Sequence, residues 1–319
     1  MNQKEINDLF VSLFDKRQPV ELFEPITYTL VSGGKRLRPM LTLMGCEIFG
    51  GDAASVVPVM RAVEMFHNFT LLHDDIMDNS PTRRGKPTVH MRWDKNTAIL
   101  SGDAMLIAAY EQLQQMPEML WPRLMRLFTQ TGMEICKGQQ YDKNFETRDD
   151  VSRAEYLEMI RLKTAVLLGG ALKLGAVAAY ADEDEAQRLY NVGIALGMAF
   201  QLQDDYLDLY GDATTLGKPI GGDILCNKKT FLRIVAREQA DTATRSQLQH
   251  LLADGSMQPQ QRINGVRALY DQLQVPQACD RLINEYMGQC TRQIDAIRVD
   301  EALKTPLRQL VADMLHREK

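Results

Sequence analysis

Two stretches of the chain place three aspartates each at matched spacing. Residues 71–84 read L-L-H-D-D-I-M-D-N-S-P-T-R-R, putting Asp74, Asp75 and Asp78 at i, i+1 and i+4. Residues 203–208 read Q-D-D-Y-L-D and repeat those offsets with Asp204, Asp205 and Asp208. On a helix the first and third stack on one face, with the second about 100° round the turn. Like charges at that spacing cost roughly 0.2–0.5 kcal/mol per pair, and the spacers Ile76, Met77, Tyr206 and Leu207 are apolar. One such cluster is tolerable by accident, whereas two on apolar helices call for cations between them. The order D-x-D-x-D-G of an EF-hand is absent. Mg2+, which takes one or two carboxylates together with substrate phosphates, suits the pattern better.

Basic residues gather in three glycine-containing loops: Lys35, Arg36 and Arg38; Arg83, Arg84 and Lys86; Lys218, Lys228 and Lys229. Two of these loops directly follow the acidic helices. Arg recognises phosphate bidentately and Lys as a mobile point charge. With a net charge of −5 the chain as a whole gives no support to a nucleic-acid surface. The basic loops therefore describe local sites for phosphorylated substrates. Glu64-Met-Phe-His67 is half of a di-iron Glu-x-x-His pattern, with no second copy. His67 is left as a core histidine or a neutral diphosphate donor, and His73 as at most a partner of Asp74. No nucleophile elbow, P-loop or dinucleotide fingerprint is present.

The elements that must position these groups are helical. Apolar residues recur at i, i+3, i+4 nearly throughout, and no alternation of useful length points to a strand, so the fold class is all-α. Helices are expected at 22–32, 40–49, 54–77, 96–115, 121–140 and 185–210. The Ser152/Glu155 capping box opens one more, carrying Lys163 and Thr164. Both aspartate clusters then sit near helix C-terminal ends. Residues 211–229 read as loop, and the remainder from Phe231 as amphipathic helices without a chemical motif. Composition is that of an ordinary globular protein, 45% hydrophobic and 25% charged. No Ser/Gly/Pro linker divides it, so 1–319 is expected to form one domain. The apolar stretch 162–180 is interrupted by Lys163 and Lys173 and reads as a tightly packed buried helix, not a transmembrane segment. Five scattered cysteines without C-x-x-C, and an N-terminus without a signal-peptide core, lead us to expect a reduced, cytoplasmic protein.

In their order these segments resemble the all-trans isoprenyl diphosphate synthases of the polyprenyl synthetase family. The resemblance is carried by G-G-K-R-L-R-P at 33–39, D-D-I-M-D at 74–78, R-R-G-K-P-T at 83–88 and K-T at 163–164. It continues through F-Q-L-Q-D-D-Y-L-D at 200–208, G-K at 217–218 and N-K-K-T at 227–230. It implies a single large bundle of about ten core helices around a deep apolar cavity, working as a homodimer. The implied reaction is head-to-tail condensation of an allylic diphosphate with isopentenyl diphosphate, releasing pyrophosphate. By the same resemblance the six aspartates hold about three Mg2+ ions per site, and Arg83, Lys218 and Lys228 contact the allylic diphosphate. Lys35, Arg38, His67 and Arg84 bind isopentenyl diphosphate, while Lys163, Thr164 and Gln201 line the reacting carbons. Cations and fixed donors would stabilise the departing diphosphate, a dry cage would protect the allyl cation, and no protein base is required.

Two other classes compete. A terpene cyclase shares the cage and the first D-D-x-x-D, but typically carries an Asn/Ser/Glu second motif and has no use for a second diphosphate site. A non-catalytic partner subunit of a heteromeric synthase usually lacks aspartates or basic clamps that are all present here. A longer-chain polyprenyl diphosphate synthase is the alternative within the family. Product length is expected to be set by Phe69 and Phe66, which lie roughly 7.5 and 12 Å before Asp74 along their helix. A bulky residue at the fifth position before the first aspartate limits the product in the resembling family. Thr70 is small, and the two-residue insertion typical of bacterial farnesyl diphosphate synthases is missing. The expectation is a C15 to C20 product, with C20 ahead.

Overall fold

Local hydrogen-bonding chemistry decides where the helices begin. A computed structural model of the chain describes residues 1–212 and 220–315; Lys218 lies outside the described residues. The Ser152/Glu155 box forms, with Glu155 N–H on Ser152 Oγ at 3.3 Å and Ser152 N–H on Glu155 Oε2 at 2.9 Å. Asp94 accepts the Thr97 N–H at 2.9 Å and so caps the helix Lys95–Leu113. The helix expected at 40–49 begins earlier, as Leu37–Glu47, because Arg36 adopts a left-handed conformation (φ 48°) and serves as its N-cap. Pro39 falls in the first turn, where its missing N–H would have had no helical partner.

The elements are α1 (Gln3–Asp8), α2 (Val20–Val31), α3 (Leu37–Glu47), α4 (Val57–Met77), β1 (Thr82–Arg83), β2 (Lys86–Pro87), α5 (Val89–Arg92) and α6 (Lys95–Leu113). There follow α7 (Trp121–Glu146), α8 (Arg153–Ile160), a π-helical turn (Arg161–Ala165), α9 (Val166–Ala178), α10 (Glu183–Tyr210) and α11 (Gly222–Leu225). The chain ends in α12 (Phe231–Gln239), α13 (Thr242–Ala253), α14 (Pro259–Gln272), α15 (Val275–Asp295) and α16 (Glu301–Leu315). The all-α expectation holds. Among the described residues the one sheet is β1–β2, a two-residue antiparallel pair with Thr82 opposite Pro87 and Arg83 opposite Lys86. Arg84 and Gly85 turn it with φ of 53° and 74°, the positive pair that a tight hairpin needs. The basic segment 83–87 is thus a hairpin and not the open loop its composition suggested. Its strands are too short for an alternating pattern to register.

Contacts divide the chain into two units. The first comprises 1–130, 170–190 and 298–304. In it α4 packs against α3 and α6 over Met60, Val63, Met65, Leu72 and Met105, all buried. A Cβ on Gly175 would lie 2.0 Å from the Thr42 carbonyl oxygen, and one on Gly45 2.2 Å from that of Leu172. Here the apolar 162–180 stretch uses its small residues to bring backbones together. Lys173 is buried there on Glu183 and Gln187, and no helix among the described residues is long and apolar enough to cross a membrane. The second unit comprises 131–169, 191–297 and 305–319. Its core includes Val192, Leu196, Leu202, Phe231, Val235, Val266 and Cys279, all buried.

Candidate active site

In the first unit α4 carries Asp74 and Asp75 in its last turn and ends on Asp78 as C-cap. The hairpin returns Arg83 onto this turn. Its Nε donates to both oxygens of Asp75 at 2.8 and 2.9 Å, and Nη2 lies 2.7 Å from Asp75 and 3.7 Å from Asp74. Asp75 is 5% exposed. Burial drives its carboxyl upward and the Arg83 hydrogen bonds oppose that. Asp74 is half-buried and Asp78 exposed. The middle aspartate and the arginine expected on the allylic diphosphate are therefore engaged with each other.

Arg38, His67 and Arg84 come together in the first unit. Arg38 Nη1 donates to His67 Nε2 at 3.0 Å. Burial, reinforced by Arg38, Arg84, Arg83 and Arg36, holds the His67 imidazole well below its ordinary range, so the ring is neutral and accepts at Nε2. Burial also lowers the Arg38 guanidinium to about 10, and its buried Nε has no hydrogen-bond partner. Arg84 donates to the Gly33 carbonyl and fills the space a Gly34 side chain would need, its Cζ lying 2.9 Å from that Cβ position. Gly34 is thereby fixed as glycine, and its φ of 127° suits no other residue. Arg36 turns inward instead, with Nη1 on Glu64 Oε1 at 2.7 Å. Glu64 and His67 thus receive different arginines, Arg36 and Arg38. His73 does not partner Asp74: it packs on Phe69, with Nε2 3.3 Å from the Ile99 carbonyl, because Gly102 leaves room for the ring.

In the second unit α10 ends with the other cluster. Asp204 is exposed, whereas Asp205 and Asp208 are 5% and 3% exposed. Asp205 accepts from the Tyr156 hydroxyl, from the Phe231 N–H at 3.1 Å and from Gln201 Nε2 at 3.2 Å. Burial nevertheless pushes its carboxyl up to about 7, with Asp223 adding to the rise. Asp208 Oδ2 accepts the Asp223 N–H at 2.9 Å and its carbonyl the Gly221 N–H at 2.6 Å, tying down the turn around α11. Lys228 Nζ lies 3.7 Å from the Asp223 carboxylate. Lys163 and Thr164 fall in the π-helical turn, a distortion that recurs at functional sites. Gly138 of α7 admits that turn, since a Cβ there would lie 2.4 Å from Lys163 N. Lys163 Nζ donates to Asp142, and Thr164 Oγ1 to Gln201 Oε1 at 3.1 Å. A hydrogen-bonded line thus runs Thr164, Gln201, Asp205.

Sequence reasoning missed Tyr156, Asp142 and Asp223, which hold Asp205, Lys163 and the Asp208/Lys228 turn. Of the three, Asp223 lies between the G-K at 217–218 and the N-K-K-T at 227–230. Across both clusters the middle aspartate is buried and hydrogen-bonded while the first faces outward. The donors are all hard carboxylate oxygens, the set Mg2+ prefers. Among the described residues no three carboxylate, imidazole or thiolate groups are gathered tightly enough to hold an ion by themselves.

Comparison with known proteins agrees with this geometry. The family model described as polyprenyl synthetase matches residues 19–271. The geranylgeranyl diphosphate synthase of Methanosarcina mazei is 41% identical over 224 residues, 70% of this chain and 69% of that one. The geranylfarnesyl diphosphate synthase of Natronomonas pharaonis is 37% identical over 253 residues, covering 73% and 74%. A crystal structure of a geranylgeranyl pyrophosphate synthase superposes with a TM-score of 0.93 at 42% identity, covering 100% of both chains. The chain belongs to the polyprenyl synthetase family and is a prenyltransferase that elongates isoprenyl diphosphates.

Proposed function

We propose that the enzyme condenses an allylic diphosphate head-to-tail with isopentenyl diphosphate, uses Mg2+, and makes a C20 product. The observation that carries this reading is a set of anion-binding groups beyond the Arg83–Asp75 pair: Arg38, with a buried, unpartnered Nε, stands on the neutral His67, and Arg84 turns to the Gly33 carbonyl instead of to an aspartate. A terpene cyclase needs one diphosphate site, whereas a condensing enzyme needs two. Bound Mg2+ would supply Lewis-acid stabilisation of the departing diphosphate, held by Asp74, Asp75, Asp78, Asp204, Asp205 and Asp208. Arg83, Lys218 and Lys228 then orient that diphosphate, and Lys35, Arg38, His67 and Arg84 orient isopentenyl diphosphate. The hydroxyl of Thr164, the Gln201 amide and the backbone around Lys163 offer dipoles to an allyl cation. Thr164 is itself held by Gln201. In the test, pyrophosphate is released only when both substrates and Mg2+ are present. Release from the allylic substrate alone favours a cyclase, and no release favours a non-catalytic subunit.

The two diphosphate sites separate kinetically. Lys35→Ala and Arg38→Ala each raise KM for isopentenyl diphosphate by about tenfold or more, the loss of a charge-assisted hydrogen bond. Lys218→Ala acts on the allylic substrate. Initial rates with each substrate varied in turn check this, and equal effects on both substrates in all three variants would overturn the division.

Product length is read from α4. Phe66 is buried edge-to-face against Phe69 (5.6 Å between centroids) and Phe128 (5.3 Å), while Phe69 keeps partial exposure and leans on His73. Phe69 is thus the more accessible of the two, backed by Phe66. The relatives named for C20 and C25 products support a C20 assignment, and the C15 end of the range expected from the sequence finds no support among them. Phe69→Ala lengthens the products seen by mass spectrometry while turnover persists, and Phe66→Ala in addition lengthens them further. An unchanged product distribution in both variants would assign the stop to other residues.

We further propose one catalytic domain acting as a cytoplasmic homodimer. Ile99, Leu100 and Ile107 of α6, 44%, 60% and 61% exposed, form an apolar face on the first unit that a second copy would cover. Light scattering at working concentration checks the dimer.

A further inference from the structure

We propose that a basic cavity in the second unit binds a small phosphate-bearing anion at a site separate from the two aspartate clusters. The cavity, about 280 Å³, lies among Asp149–Val151 and the residues of α12 and α13, and none of the six aspartates lines it. Lys229, Arg233, Arg237 and Arg245 converge on it against one carboxylate, Asp149. Such a concentration of positive charge stands out in a chain whose net charge is −5.

The internal pairing leaves these cations under-compensated. Lys229 Nζ and Arg233 Nη2 share one oxygen, Asp149 Oδ1, each at 3.2 Å. The two cationic side chains are 7% and 16% exposed, whereas that of Asp149 is 84% exposed. Arg233 Nη1 is held by the neutral Asn227 carbonyl and side-chain oxygens, so the charge partner of these two desolvated cations is one solvated carboxylate, an arrangement that a multiply charged anion would improve. Burial lowers the Arg233 guanidinium, and Arg237 and Arg262 lower it further, against Tyr270 and Asp149. Arg237 is fixed by donating to the Asp149 and Val151 carbonyls, which pre-forms one wall. Val151, Ile234, Leu248 and Leu252 supply an apolar side. The chemistry fits a phosphate or diphosphate group, free or carried on a short apolar tail. Arg233 and Leu252 also line a smaller cavity with Asp205, Asp208, Asp223 and Lys228, so an occupant alters the field at the second aspartate cluster.

The test uses the full chain in EDTA, where binding is read without turnover. Calorimetry is run with pyrophosphate, inorganic phosphate and dimethylallyl monophosphate, and hydrogen exchange locates the bound anion. Pyrophosphate is expected to bind and to protect peptides spanning 227–237 and 242–253. Lys229→Gln combined with Arg245→Gln weakens that binding about tenfold or more, the effect of removing two charge-assisted contacts. Asp149→Asn tightens it several-fold by removing the competing carboxylate, an opposite change that no loss of folding can imitate. Tighter binding of the monoester than of inorganic phosphate identifies an organic phosphate as the ligand, and equal binding a free anion. The proposal is overturned if wild type binds none of the three, if the double variant binds as tightly as wild type, if Asp149→Asn fails to tighten binding, or if protection falls only outside 227–253.

Discussion

Asp74→Ala and Asp204→Ala each lower kcat by about a hundredfold to a thousandfold, the scale on which removing one preorganised electrostatic group acts, while leaving the fold intact. Both are the outward-facing members of their clusters: Asp74 is half-buried and Asp204 exposed. Removing either relieves like-charge repulsion of the order of 0.2–0.5 kcal/mol. Asp75 and Asp205 behave differently. Asp75→Ala leaves the Arg83 guanidinium without its bidentate partner, and Asp205→Ala orphans the Tyr156 hydroxyl and the Phe231 N–H. Those variants lose activity and also unfold at lower urea, by about 1–3 kcal/mol for each buried group left unpaired. Turnover assays paired with urea unfolding separate the two classes. Near wild-type kcat in Asp74→Ala or Asp204→Ala would sink the metal assignment. Because Mg2+ takes one or two carboxylates and completes its shell with substrate phosphates, Mg2+ alone binds weakly and its affinity rises when a bisphosphonate is added. Tight Mg2+ binding without a diphosphate would argue for a different site.

That contrast within each cluster marks the limit of what the sequence displays. D-D-x-x-D spacing is visible because periodicity fixes the angular positions of the carboxylates on a helix. Which carboxylate is buried depends on what packs over it, and those partners are distant in the chain: Tyr156 for Asp205, and Asp223 for Asp208. The helix start at Ser152 was legible because a cap is a contact between residues three apart. The start of α3 was misplaced because Pro39 is a local signal for a helix start, whereas the left-handed Arg36 is held by tertiary contacts. The Arg84-Gly85 hairpin escaped notice for a related reason. Arginine is an unusual residue at the first positive-φ position, and there it is anchored on Gly33, outside the hairpin. That Glu64 pairs with Arg36 and His67 with Arg38 depends on residues about thirty positions away, which the Glu64-Met-Phe-His67 spacing does not reveal.

Arg36→Ala destabilises the first unit by about 3–5 kcal/mol, the cost of breaking a buried ion pair by removing one partner. The side chains of Arg36 and Glu64 are 2% and 3% exposed. Every donor nitrogen of the guanidinium is engaged: Nη1 on Glu64 at 2.7 Å, Nε on Asn7 Oδ1 at 3.0 Å, and Nη2 on the Leu30 carbonyl. Its face also covers the Phe10 ring at 4.8 Å. The truncation therefore leaves a buried carboxylate, with only Asn68 Nδ2 at 3.1 Å among its described partners, and a cavity where the stem ran. Arg36→Met combined with Glu64→Leu recovers most of the loss, because apolar groups of similar volume need no compensation in a buried site. Function separates from stability in that double variant. Arg36 is the left-handed N-cap from which Lys35 and Arg38 project, and its inward anchor sets their placement. The double variant should thus regain its urea midpoint yet keep a raised KM for isopentenyl diphosphate, with the KM for the allylic substrate unchanged. Urea unfolding and two-substrate kinetics measure both quantities. If the double variant restores stability and both KM values together, the ion pair serves the fold alone. If Arg36→Ala unfolds at the wild-type midpoint, the buried pair carries no net weight.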